Sequence, residues 1–178
     1  MTDGALPTGE WRAYAEAGDA AVDAAAALES LRSRGWTLGI AESLTGGMLA
    51  AALIAVPGAS VTVVGGIVAY ATPLKHSLLG VDDALLAEHG AVHPEVARQM
   101  AEGVRNAVAV ERRGADVGIS TTGIAGPDSP DGQPVGTVHI GVSTPTESRV
   151  LSLRLEGDRD AIRTDTVRYA LRALLTAV

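Results

Sequence analysis

The sequence predicts an α/β protein, a three-layer α/β/α sandwich around a mixed, mostly parallel central sheet. Three observations lead there. Short apolar or β-branched runs alternate with segments of helical period, Gly, Pro or small hydroxyl residues punctuate the junctions, and two strand-like runs lie back to back near the C-terminus. Alternation calls for parallel strands joined by crossover helices, and the late hairpin adds an antiparallel part. At 178 residues, 47% of them hydrophobic, the chain is the size of one domain with one packed core.

Residues 1–18, with Gly4, Pro7, Gly9 and Gly18 around Trp11 and Tyr14, show no sustained period and read as a tail or weakly docked extension. The domain proper is expected over 19–178. Asp19 suits the N-cap of an Ala-rich helix that stops at Gly35, with Val22, Leu28 and Leu31 as its larger apolar contacts. Residues 37–41 form a buried strand, 43–47 a tight turn, and 48–56 a helix closed by Pro57-Gly58. The run 61–70 reads as a strand bent or bulged at Gly65-Gly66. Two short helices are expected at 74–79 and 82–89. Pro94 then opens a long helix to about Arg113, carrying Val96, Met100, Val104, Ala107 and Val108 on one face. A strand at 116–122 leads into the Gly/Pro/Asp loop 123–134. Residues 135–144 and 149–155 form the hairpin, and Asp158 caps the last helix.

Composition excludes several classes of function. Fourteen basic against 21 acidic residues give a net charge of −7, and no Lys/Arg run offers a nucleic-acid or anionic-membrane surface. A small anionic ligand held by a few local arginines remains compatible with that balance. There is no cysteine, which removes disulfides, thiolate catalysis and zinc-thiolate sites. No signal-peptide pattern is present, and the apolar runs break before the roughly 18 residues that span a bilayer. A soluble cytoplasmic protein is expected.

In sheets of this kind ligands bind beyond the carboxyl ends of the strands, and three turns there are chemically loaded. The first holds Ser43, Thr45, Gly46 and Gly47 at a helix N-terminus, where free N–H groups can hold a phosphate or a developing oxyanion and glycine lets a ligand approach the backbone. The same residues equally fit a plain ST-turn that starts a helix. Neither a G-x-S-x-G elbow nor a G-x-x-x-x-G-K-[ST] phosphate loop is present. The second turn carries Tyr70 and Lys75, the sole lysine of the chain. A lysine serves as a base when burial or a cationic neighbour favours its neutral form; otherwise it is a solvated surface residue, and the tyrosine is packing. The third offers Thr122, Gly123 and Gly126, a hydroxyl and backbone N–H groups suited to phosphate or ribose. Asp128 and Asp131 in that loop fit a turn better than a cation site. The four histidines have no metal spacing, and His93 reads as a helix-start residue. Arg159 and Arg163 either complete an anion pocket or form a solvated helix face paired with Asp158 or Asp160.

Five motifs occur together and in order: Ala-Glu-Ser-x-Thr-Gly-Gly at 41–47, Tyr-x-x-x-x-Lys at 70–75, Gly-Ile-Ala-Gly-Pro-Asp at 123–128, Pro-Val-Gly-Thr-Val at 134–138, and Gly-Asp-Arg-Asp-Ala-Ile-Arg at 157–163. From about residue 20 onward the chain resembles the CinA C-terminal domain family, whose enzymatic members are nicotinamide mononucleotide deamidases. The resemblance implies a serine amidohydrolase that converts this pyridine mononucleotide to nicotinic acid mononucleotide and ammonia, with no metal and no organic cofactor. It implies Ser43 as nucleophile, Lys75 as general base, Tyr70 as a partner that relays or orients the proton, Thr122 as a substrate-placing residue and Arg159 as the phosphate ligand. The amides of Gly46 and Gly47 are the nearest oxyanion donors in sequence. Four positions depart from the family pattern: Leu44 stands where cysteine is common, Thr72-Pro73 replaces a more polar pair, and His93 replaces a serine-like cap. A silent nucleotide-binding module and an amidase for another carboxamide are the alternative readings. The several Ala/Leu-rich helix faces suggest a homodimer or larger homo-oligomer.

Overall fold

A computed structural model describes residues 19–129 and 132–178; the expected tail and Asp131 lie outside the described residues. Five strands form one sheet: β1 (Leu38–Glu42), β2 (Val63–Val68), β3 (Val117–Gly123), β4 (Thr137–Ser143) and β5 (Ser148–Arg154), in the order β2-β1-β3-β4-β5. β1 pairs in parallel with both β2 and β3, while β4 runs antiparallel to β3 and β5 antiparallel to β4. Four strands therefore point one way and only β4 points back, the mixed and mostly parallel sheet expected.

Helices cover both faces. On one side α1 (Ala20–Ser33), α2 (Met48–Ile54) and α6 (Arg159–Ala177) pack on Leu38, Ile40, Val117, Ile119, Val138, Ile140 and Leu151. On the other, α3 (Thr72–Leu79), α4 (Asp83–His89) and α5 (Pro94–Ala107) enclose a smaller core that includes Ala41, Val96, Met100 and Val104. The second face is shaped by glycine. A Cβ on Gly118 would stand 1.9 Å from the Ala101 carbonyl oxygen, and one on Gly141 2.4 Å from that of Ala97, so α5 lies almost directly on the β3 and β4 backbones.

Local chemistry explains most boundaries and corrects some. Asp19 caps α1 through the amides of Ala21 and Val22, as its type predicts. Val22, expected inside, is exposed: at roughly 100° per residue it sits off the Ala24/Ala27/Leu28/Leu31 stripe that meets α6. The β2 run begins later than expected, because Ala59–Val61 form a 3₁₀ turn. Its bulge falls at Val64, between the Leu38–Val63 and Gly39–Gly65 pairs, one residue before the glycines. α5 stops at Ala107 instead of near Arg113. The chain there reverses through a tight turn bridged by Val110 and Arg113, with Glu111 and Arg112 at left-handed φ, in order to enter β3. Ala107 is correspondingly exposed. No helix among the described residues is long and apolar enough to cross a membrane.

Candidate active site

The carboxyl ends of β1, β2 and β3 converge on a cavity of about 250 Å³. Ser43, Lys75, Tyr70, Thr122, Gly123, Gly126 and Arg159 line it, so all three loaded turns reach one place.

Ser43 follows the last residue of β1. Its amide donates to the Thr121 carbonyl at 3.0 Å, and its carbonyl accepts from the Gly46 amide at 3.1 Å, which closes the turn. Gly46 and Gly47 have φ of 59° and 99°, values that a side chain would strain, so the glycine pair is required by conformation. The buried Glu42 carboxylate then accepts from the amides of Gly47 at 3.0 Å, Leu49 at 3.1 Å and Ala50 at 2.8 Å. The Thr45 and Thr121 hydroxyls bond each other at 2.8 Å in the interior. From α6, Arg163 donates to the Leu44 carbonyl at 3.0 Å and the Thr45 carbonyl at 3.3 Å, with Asp160 3.5 Å away.

These bonds correct part of the sequence reading. Thr45, Gly46, Gly47 and Arg163 do not line the cavity; they build the turn that presents Ser43. The Gly46 and Gly47 amides are held by protein acceptors, not aimed at a ligand, because Glu42 already occupies the start of α2. Glu42 is a cap from outside the helix, and the only sequence signal for it is an acidic residue shortly before the Gly46-Gly47 helix start.

Lys75 is fully buried, the largest side chain with no exposure among the described residues. α3 begins at Thr72 with Pro73 in its first turn, and Lys75 completes that turn as a buried residue. The Lys75 Nζ donates to Ser43 Oγ at 3.0 Å and to the Ala69 carbonyl at 2.8 Å. Ala69 in turn donates its amide to the Glu42 carbonyl at 2.8 Å, so β1, β2 and α3 are joined directly behind the pair.

The mouth of the cavity is different in character. Tyr70 is 61% exposed, and its hydroxyl accepts from Arg159 Nη2 at 3.2 Å. Arg159 Nη1 donates to the Gly126 carbonyl at 2.8 Å, which fixes the guanidinium over the 123–128 loop. Thr122 donates its hydroxyl to the Ala91 carbonyl at 2.7 Å and keeps its oxygen lone pairs as acceptors. Thr72 and Val92 also line the cavity, contributions that sequence spacing alone did not reveal, and so does Asp128, which the sequence reading assigned to a turn.

None of the four histidines is among the lining residues. His139 is buried and bonded through Nδ1 to Ser152 Oγ at 2.9 Å; burial, with a smaller contribution from His93, pushes its pKa down to about 4. His93 caps α5 through the Glu95 amide and stacks on His89 at 4.7 Å, and burial followed by the His89 charge lowers its pKa. Among the described residues no group of three or more His, Cys, Asp or Glu could hold a metal ion.

A doubly covered mixed sheet with a buried serine–lysine pair at its strand ends defines an α/β protein with a cleft beyond the carboxyl ends of its strands. The chain belongs to the CinA C-terminal domain family, whose model matches residues 21–178. It is 52% identical over 141 residues to a CinA-like protein of Frankia casuarinae, covering 79% of this chain and 31% of that one. It is 47% identical over 149 residues to a putative competence-damage inducible protein of Geobacillus kaustophilus, covering 83% and 35%. The chain thus spans about a third of the length of the curated relatives it matches. Among solved structures, a competence-damaged protein (CinA) superfamily protein from Klebsiella pneumoniae superposes with a TM-score of 0.82 at 32% identity, over 89% of this chain and 97% of that one. A competence/damage inducible protein from Agrobacterium tumefaciens gives 0.81 at 34% identity, over 89% and 95%. Those names describe competence and damage and specify no reaction.

Proposed function

We propose that the protein is a cytoplasmic amidohydrolase that deamidates nicotinamide mononucleotide, with Ser43 as nucleophile and Lys75 as general base. The observation that carries this reading is the 3.0 Å contact between Lys75 Nζ and Ser43 Oγ, both buried at the floor of an open cavity. A lysine is a base only as the neutral amine, the form that burial favours. In the reaction the amine takes the Ser43 proton as Oγ bonds to the carboxamide carbon. The ammonium so formed lies beside the tetrahedral intermediate and supports its negative charge. Lys75 then returns the proton to the amide nitrogen, the C–N bond breaks with release of ammonia, and an ester to Ser43 remains. Lys75 then takes a proton from the attacking water and passes it to Ser43 Oγ as the acyl–oxygen bond breaks, which releases the acid as its carboxylate and restores the serine and the neutral amine.

The mouth suits the rest of a mononucleotide. With α2 capped by Glu42, the remaining anion ligand at the cavity is Arg159, whose fork is already aimed by Gly126 and Tyr70. Binding the phosphate there gives remote energy that orients the amide over Ser43. The Thr122 oxygen can accept from the carboxamide NH₂.

The test is production of ammonia and nicotinic acid mononucleotide from nicotinamide mononucleotide by the purified protein, with Ser43→Ala as control. Turnover that disappears in the variant supports the reading. Thermal stabilisation by the nucleotide without any turnover would replace it with a binding module.

A further inference from the structure

We propose that Glu42 and Arg163 form a two-sided clamp that positions the Ser43 nucleophile, so that neither touches substrate and both set kcat. The inference rests on the reading of Ser43 as nucleophile. The turn 43–47 carries the reactive hydroxyl on a backbone with two consecutive left-handed glycines, a conformation with little intrinsic rigidity. On its α2 side, three amides that a helix start leaves without partners converge on one carboxylate. Oε2 accepts from Gly47 and Leu49 and Oε1 from Ala50, so Glu42 acts here purely as an acceptor. Its main chain closes the same unit, because the Glu42 carbonyl accepts from Ala69, the residue whose own carbonyl accepts from Lys75. One side chain and its peptide thereby tie the nucleophile's turn to the base's anchor.

On the α6 side, Arg163 fastens the carbonyls of Leu44 and Thr45, the two residues after Ser43. The turn is gripped at its donors by a carboxylate and at its acceptors by a guanidinium, charged partners that make the stronger class of hydrogen bond. Displacing a reacting group by about 1 Å can cost on the order of 10²-fold in rate. A glutamine at 42 cannot serve all three amides, since one of its two terminal atoms becomes a donor facing donors. An aspartate is one methylene too short to reach them together.

The experiment compares Glu42→Gln and Arg163→Ala with the wild type, each first shown to be folded by circular dichroism. Two quantities are read: kcat and KM for nicotinamide mononucleotide, and the rate at which a fluorophosphonate probe labels Ser43, with Ser43→Ala as the unlabelled control. Glu42→Gln is expected to lower kcat and the labelling rate by about 10²-fold with KM within about threefold of wild type. Arg163→Ala should lower both by about tenfold, again with little change in KM. A merely structural role would reduce thermal stability and leave both rates of the folded protein intact, and that result overturns the proposal. So does a rise in KM without a fall in kcat for Arg163→Ala, which would make Arg163 a substrate ligand. If Glu42→Gln does not fold, Arg163→Ala decides. If the wild type labels at Ser43 but releases no ammonia, the deamidase reading fails while the labelling rates still decide the clamp. A wild type that does neither overturns both.

Discussion

The floor and the mouth of the cavity are built from opposite materials. At the floor, Ser43 and Lys75 are buried, and their 3.0 Å contact is enforced by backbone bonds from three elements. At the mouth, Tyr70 and Arg159 meet at 3.2 Å in contact with solvent, tied to a single carbonyl of the 123–128 loop. Burial changes what a polar contact is for. A pair removed from water has a fixed geometry and proton affinities set by its surroundings, as chemistry requires; an exposed pair exchanges its partners with water easily, as reversible ligand capture requires.

The sharpest way to break this contrast is at the floor. Ser43→Ala and Lys75→Met are each expected to reduce ammonia release by about 10³-fold or more while preserving the circular dichroism spectrum. Loss in only one of them would dissolve the pair as a unit. The methionine matters, because it refills the volume that an alanine would leave empty in the core.

A mutation at the mouth should move binding instead. Arg159→Ala is expected to raise KM for nicotinamide mononucleotide by about 10²-fold with a smaller change in kcat. For nicotinamide riboside, which lacks the phosphate, wild type and variant should behave alike. Equal losses on both compounds would move the phosphate away from Arg159.

Burial without a catalytic use has a measurable cost, and His139 shows it. Unfolded, it takes up its proton near the ordinary value of 6.5; folded, it does so only near 4. The unfolded state therefore gains protons first as pH falls, and stability contributed by neutral His139 is fully present above pH 6.5, declines toward pH 4 and changes no further below. Urea titrations should show a loss on the order of 2 kcal/mol across that window, flattened in His139→Gln.

Tyr70→Phe should have the smallest effect, a change of about two- to fivefold in KM, since an exposed hydrogen bond contributes roughly 1 kcal/mol or less. A fall of about 10²-fold in kcat instead would give Tyr70 the proton-relay role that the family resemblance implies and would join mouth to floor.

Much of this architecture was legible in the chain. The alternation of apolar runs and helical segments foretold the layers, Asp19 and Asp158 marked helix starts, and the Ser43, Lys75 and Thr122 motifs pointed to one cleft. Boundaries failed where tertiary packing overrode local pattern: α5 is cut at Ala107 by the turn into β3, and Val22 is turned outward by the stripe that meets α6.

Residue types and local periods are legible along the chain, because helix caps, strand alternation and glycine turns act over a few neighbouring residues. Which side of the chemistry each polar group would serve was decided only in three dimensions. Glu42, Gly47 and Arg163 could each have faced a ligand; they face one another's turn because the donors of α2, the carbonyls after Ser43 and the end of α6 are brought together by the packing of separate elements. A buried donor or acceptor must find a partner wherever the fold sets it, and that partner can be more than a hundred residues away in sequence.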